Sequence, residues 1–238
     1  MTAMIHPWPD HGLHPVEPRP ALFRGLSRAQ MRHIRRAVAT EPYRAGETLP
    51  RSGLDAPFVG LVLSGALRED RELPKGGSHL LALTFPGEAF APQGCDRAKG
   101  TLTAIGDTEV LTCDHTTFEE LAIAIPRLRL NLLHLVQDQL AQAQYWQLLL
   151  GRKTASERIA SMLRCFHQRQ GQPGEIHLPV SRAELGQLTG LTLETVSRQM
   201  RALEKAGLIA MPQPTRIRIR DVDALTNLAG DVPARRAA

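Results

Sequence analysis

VSRAELGQLTGLTLETVSRQMRALEKAGLI, residues 180–209, decides the architecture. Ser181, followed three residues later by Glu184, forms a capping box that opens one helix; Gly190 suits a tight turn, and Thr192 is placed to cap a second helix. Along that second helix Glu194, Ser197, Arg198 and Arg201 fall at i, i+3, i+4 and i+7, so a carboxylate, a hydroxyl and two guanidiniums share one stripe. Val196, Met200 and Leu203 take the opposite stripe. Two short helices about a glycine turn, with the polar stripe early in the second, is the pattern of a helix-turn-helix. A helix laid in the major groove reads base edges from its N-terminal half, where Arg donates two hydrogen bonds to guanine O6 and N7 and Glu accepts from cytosine N4. Arg198 and Glu194 are therefore the expected base readers, with Ser197 small enough to leave room for a thymine methyl or to use its hydroxyl. A solvated face held by Glu–Arg pairs is the plainer reading of the same spacing.

The flank favours DNA. LIAMPQPTRIRIRD, residues 208–221, predicts two strands about a Pro-rich turn, the second alternating Ile217 and Ile219 with Arg216, Arg218 and Arg220, which sets three guanidiniums on one face. A hairpin beside a helix-turn-helix is a wing. Arg216 and Arg218 are candidates for phosphate contact, as are Ser181 and Arg182 at a helix start, Thr192, and Arg201. Charge is partitioned in the same sense. Residues 1–150 carry 15 Lys+Arg against 16 Asp+Glu, a net of −1, whereas residues 151–238 carry 14 against 8, a net of +6.

Working toward the N-terminus, ASERIASMLRCFHQRQG predicts a helix with Ile159, Met162, Leu163 and Phe166 in a core; Cys165 and His167 read as packing and surface residues. RLRLNLLHLVQDQLAQAQYWQLLLGRK, residues 127–153, has no Pro and no Gly before Gly151. It predicts a helix of about 24 residues, roughly 36 Å long. Leu128, Leu132 and Leu135 make one apolar seam. Leu133, Val136, Leu140, Ala143, Gln147 and Leu150 follow alternating steps of three and four, a heptad seam suited to an identical helix in a parallel dimer. Residues 42–113 hold short apolar runs broken by Gly and Pro (PFVGLVLSGAL, HLLALTFPGEAF, TLTAIGDTEVLTC), the pattern of a jelly roll or β-barrel. Ser27 precedes a short helix, RAQMRHIRRAV, and the first 20 residues read as a disordered arm. The fold class is α+β: a β-roll over 21–126, a dimerisation helix over 127–151 and a winged helix-turn-helix over 152–238.

No apolar run approaches the roughly 18 residues that span a bilayer, and MTAMIHPWPDHGLHP lacks the charges and apolar stretch of a secretory signal; a cytoplasmic address and no membrane partner are expected. No Ser/His/Asp order, phosphate loop, paired metal-ligand motif or nucleophile elbow appears, so no catalytic or metal site is expected.

The order of β-roll, long helix and winged helix-turn-helix resembles the CRP/FNR family of bacterial transcription regulators, from about residue 20 onward. The resemblance rests on VLSGAL and FPGEAF in the roll, LLLGRKTASERIA at the hinge and LTLETVSRQMRALEKAGLI in the reading unit. Glu194, Ser197 and Arg198 match the Glu-x-x-Ser-Arg pattern of the FNR and FixK type; Leu193 stands where the CRP type carries a further Arg. The resemblance implies a homodimer on an inverted TTGAT-like repeat, Arg198 on the guanine and Glu194 on the neighbouring cytosine. It also implies contact with RNA polymerase, a jelly-roll domain like those that bind cyclic nucleotides, and activation in an oxygen-limitation or nitrogen-oxide response.

Departures from the family bear on the effector. Gly87-Glu88 is present, but Lys99-Gly100-Thr101 replaces the Arg-Ser-Ala element of the cyclic-nucleotide cassette, so cAMP is not expected. Cys113 matches one FNR cluster ligand by position, yet the arm holds no cysteine; Cys95, Cys113 and Cys165 cannot supply four thiolates. Cluster-free members include FixK-like regulators set by their own abundance and DNR-like haem sensors of nitric oxide, for which His6, His11, His14, His79, His115 or His134 would be the axial ligands. No cofactor is the expectation, with haem left open. From another class, a signalling module whose C-terminal domain contacts proteins remains the alternative.

Overall fold

Ser27 and Gln30 each accept a hydrogen bond from the other's backbone N–H, and this capping box starts α1 (Arg28–Ala37). The computed structural model describes residues 20–50, 58–90, 100–171 and 174–230. The chain divides into two compact units, Met1–Ala141 and Gln142–Ala238. The proposed arm, apart from its last residue, lies outside the described residues, with His6, His11, His14, Cys95 and Lys99. No helix among those described is long and apolar enough to cross a membrane.

Among the described residues of the first unit, eight antiparallel strands form two four-stranded sheets. One runs β1 (Ala39–Tyr43), β8 (Thr108–Cys113), β3 (Val59–Ser64), β6 (Ala89–Phe90). The other runs β2 (Thr48–Leu49), β7 (Gly100–Ala104), β4 (Leu67–Glu72), β5 (Ser78–Thr84). Strands β3 and β8 are buried on both faces, which is why they read as near-continuous apolar runs. Val62 and Val110 join Leu49, Leu67, Phe90 and Leu102 in one core. Val59, Leu61, Leu111 and Cys113 join Leu22, Ile34, Phe118, Leu121 and Leu128 in the other, between sheet and helices. Strand β1 begins at Ala39, three residues before the apolar runs expected from residue 42, and it holds Pro42; β1 is an edge strand, where a missing N–H costs no ladder bond.

Helix α2 (His115–Ala124), capped by Asp114 on the Thr117 N–H at 2.8 Å, was not foreseen. It carries no strong stripe of its own and is fixed by burying Phe118, Leu121 and Ala122. Helix α3 (Arg127–Arg152) runs one residue past Gly151, and the division between the units falls within it rather than at either end, because its two halves pack in different cores. Leu128 is buried, and Leu132 and Leu135 pack against the first unit's core, as their seam predicts. Asn131 on the same side donates to the carbonyls of Leu22 and Arg24 at 2.8 and 2.9 Å, which satisfies the turn before α1.

The second unit holds the end of α3, α4 (Ala155–Arg169), α5 (Arg182–Thr189), α6 (Leu193–Lys205) and α7 (Val222–Ala229). Its sheet orders β10 (Ile209–Gln213), β11 (Arg216–Ile219) and β9 (Ile176–His177). Ile159, Met162, Leu163 and Phe166 are buried in α4 as expected; His167, read as a surface or packing residue, is buried with them.

Candidate nucleic-acid interface

Each helix of the reading unit begins as its sequence dictates. The Ser181 hydroxyl accepts from the Glu184 N–H at 3.2 Å while its own N–H donates to the Glu184 carboxylate at 2.8 Å. Thr192 accepts from the Thr195 N–H at 3.2 Å. Gly190 closes α5 in the left-handed region at φ 63°, where only glycine is unstrained. Gly186 has a different duty. The Leu191 N–H donates to the Gly186 carbonyl at 2.9 Å, and a Cβ at residue 186 would lie 2.5 Å from the Leu191 carbonyl oxygen. The turn passes so close to α5 that its fifth residue can have no side chain.

Helix α6 buries Val196, Met200 and Leu203 and turns the other stripe outward. Glu194, Arg198 and Arg201 are exposed and Ser197 is half-buried. The Glu194 carboxyl is held below the usual carboxylate range, first by its own backbone N–H and then by the Thr192 hydroxyl, so it is ionised at neutral pH and acts only as an acceptor. Thr195, which the sequence reading passed over, lies within this stripe: Arg198 Nη2 donates to its hydroxyl at 3.5 Å, and Thr192 donates to the same oxygen at 3.1 Å.

Of the phosphate candidates, Ser181 and Thr192 are exposed caps whose hydroxyl oxygens already accept from backbone. Arg182 does not point outward from the start of α5. Its Nη2 donates to the Pro214 carbonyl and the Met211 sulfur, both at 3.2 Å, and its Nη1 is buried without a partner among the described residues. Burial pulls the Arg182 pKa down, opposed by Glu204. This guanidinium fastens the wing hairpin to α5, so a phosphate at this helix start would have to compete with those bonds. Glu204 fastens the same hairpin to α6 by accepting from the Met211 N–H at 2.9 Å.

The wing is three-stranded rather than a lone hairpin. Strand β9 adds to β11, and Glu175 beside it takes both expected phosphate arginines, Arg216 at 3.5 Å and Arg218 at 3.3 Å. Arg220 lies just past β11, its N–H bonded to the Leu208 carbonyl.

Arg158 was also passed over, because its role depends on contacts distant in sequence. Its guanidinium donates to the carbonyls of Lys153 at 2.9 Å, Leu150 at 2.8 Å and Thr189 at 3.1 Å. One cation thereby gathers the C-terminal ends of α3 and α5, where helix dipoles favour positive charge.

A cavity of about 20 Å³ in the first unit is lined by apolar side chains with Thr112 and Cys113. An open cleft of about 720 Å³, lined by Pro42, Tyr43, Arg44, Glu47, Ser64, Asp107, Thr108 and Glu109, has no His, Cys or Met to ligate iron. Burial, reinforced by Asp114, pushes the Cys113 thiol up to about 12, so it behaves as a small core residue. Glu88 accepts from the Phe85 N–H at 3.0 Å within its own turn.

Comparison with known proteins follows the same outline. Residues 157–228 match the Crp-like helix-turn-helix domain family. The chain is 34% identical over 197 residues to the transcriptional activator protein FnrL of Cereibacter sphaeroides, covering 79% of each. It is 33% identical over 178 residues to the nitrogen fixation regulation protein FixK of Azorhizobium caulinodans, covering 73% of this chain and 72% of that one. Among solved structures, FixK2 from Bradyrhizobium japonicum superposes with a TM-score of 0.71 at 31% identity, over 82% of this chain and 98% of that one.

Replacing glycine by alanine inside a helix ordinarily stabilises it by up to about 1 kcal/mol. Gly186→Ala is expected to reverse that sign, because the added Cβ meets a backbone carbonyl that cannot swing aside. The expected loss is about 2 kcal/mol, read by urea denaturation; a variant as stable as the parent would show that the turn relaxes freely.

Proposed function

The chain belongs to the CRP/FNR family of transcription regulators, and from that premise we propose that it is an activator that binds an inverted TTGAT-like repeat as a homodimer. Its matched relatives are regulators of transcription, not enzymes, and this chain is a DNA-binding regulator of the same kind. The observation that carries the finer reading is the outward stripe of α6. Glu194 is an ionised acceptor and Arg198 a planar donor, one turn apart and exposed, above a stripe buried in the scaffold. That is the donor and acceptor set for a guanine and a neighbouring cytosine. Ser197 lies between them, and the exposed residues Arg201, Ser181 and Thr192 are the phosphate contacts this reading proposes.

The dimer reading is supported by the second seam of α3. Leu133, Val136, Leu140 and Leu150 are 54%, 53%, 59% and 43% exposed, and Ala143 and Gln147 are exposed between them. An apolar heptad row left in water is the surface a parallel copy of the same helix would cover. Two reading helices would then lie about one turn of duplex apart, roughly 34 Å, on a palindrome. The names of FnrL, a transcriptional activator protein, and FixK, a nitrogen fixation regulation protein, support activation; an oxygen-limitation or nitrogen-oxide response, contact with RNA polymerase and a cytoplasmic location complete the proposal. Control by the abundance of the protein is the regulation proposed, and a haem-dependent response to nitric oxide is the alternative.

Arg198→Ala should cost about 1 to 3 kcal/mol on the TTGAT palindrome and relax preference at the guanine. Anisotropy titration and footprinting check this, and an unchanged footprint with parental affinity would remove Arg198 from base reading. Leu140→Asp should give monomers in light scattering, with operator binding weakened at least tenfold or so; a stable dimer would place the interface elsewhere.

A further inference from the structure

The wing presents its guanidiniums already engaged. Strand β9 pairs antiparallel with β11, Arg216 opposite His177 and Ile217 opposite Ile176, and the same register brings Glu175 beside Arg218. The Glu175 carboxylate reaches both arginines, one oxygen 3.5 Å from Arg216 Nη1 and the other 3.3 Å from Arg218 Nη2. The arginine side chains are 40% and 59% exposed and the glutamate 29%, so the acid is the most enclosed of the three. His177 adds no charge at neutral pH, since burial and then Arg216 hold it below the ordinary histidine value. The wing thus offers a duplex one net positive charge from these three side chains instead of two.

We propose that Glu175 is a built-in competitor for phosphate: its carboxylate occupies the two wing guanidiniums that a duplex backbone would engage, and so limits the sequence-independent share of DNA affinity. This rests on the DNA-binding reading above. A phosphate that docks on Arg216 or Arg218 must displace the carboxylate or sit beside it, and either cost falls on every duplex alike. Base reading by α6 is untouched, because Glu175 bonds no residue of that stripe. The wing keeps its arginines ordered by a cross-strand pair while the discrimination is left to Arg198 and Glu194.

The test titrates the full-length chain onto a random-sequence duplex and onto the TTGAT palindrome over a range of salt. Glu175→Gln should bind the random duplex about five- to tenfold more tightly at low salt, with a slope of log K against log[salt] steeper by about one per added phosphate contact. Glu175→Asp, which keeps the charge but shortens its reach, should show part of that gain and covers the case in which the Gln variant folds poorly. In a background carrying Arg216→Gln and Arg218→Gln, Glu175→Gln should bring no gain. Parental affinity and slope in both Glu175 variants would overturn the proposal, and so would an equal gain in the background without the arginines, which would reduce the effect to net charge. If the parental chain bound no duplex at any salt, the DNA-binding reading itself would fail, an outcome separate from these.

Discussion

Burial of Val196, Met200 and Leu203 governs what the second unit can do. Once these side chains are in the core, helical geometry leaves Glu194, Arg198 and Arg201 on the outside, one above another along the same edge. The helix cannot roll to hide its charges without exposing its apolar stripe, so the polar edge is held rigidly toward solvent. The remaining contacts in the unit keep that edge in place. Gly186 and Gly190 let the chain reverse within a few residues of α5, and Arg158 draws the carbonyl ends of α3 and α5 to one cation. Arg182 and Glu204 fix the wing hairpin to α5 and α6 respectively.

Much of this is legible in the sequence alone. The capping residues, the α6 stripe, Gly190, the first seam of α3 and the paired runs of the β-roll follow from spacing alone, because each is a local rule with a period. What escaped depends on neighbours far along the chain. Arg182 reads as a cation at a helix start, and only the fold brings the Pro214 carbonyl within its reach. Glu175 is one acid beyond a break in pattern until a two-residue strand sets it against Arg216 and Arg218. Helix α2 has mixed faces and is held by its surroundings rather than by its own periodicity. Nothing in the local spacing marks Gly186; the Leu191 carbonyl oxygen, 2.5 Å from where a Cβ would lie, is the reason no side chain fits there.

Helix α3 carries two kinds of apolar residue that spacing separates and burial confirms as different. Leu128, Leu132 and Leu135 have partners in the first unit, whereas Leu133, Val136, Leu140 and Leu150 remain in water. Leaving four large apolar side chains exposed along one row is costly for a monomer, and the proposed pairing with a second copy of the helix would relieve that cost. The same pairing would join two reading helices into a single two-fold unit, so that assembly and sequence recognition would become one property of the chain.

The geometry of that unit is open to a direct measurement: titration of the chain onto inverted TTGAT repeats whose half-sites are moved apart one base pair at a time. A sharp optimum is expected with half-site centres about one helical turn apart, roughly 10 base pairs, and affinity should fall at least about tenfold when half a turn is inserted and the second half-site rotates away from its helix. Equal affinity at every spacing would contradict a dimer that sets two α6 helices on one face of the duplex.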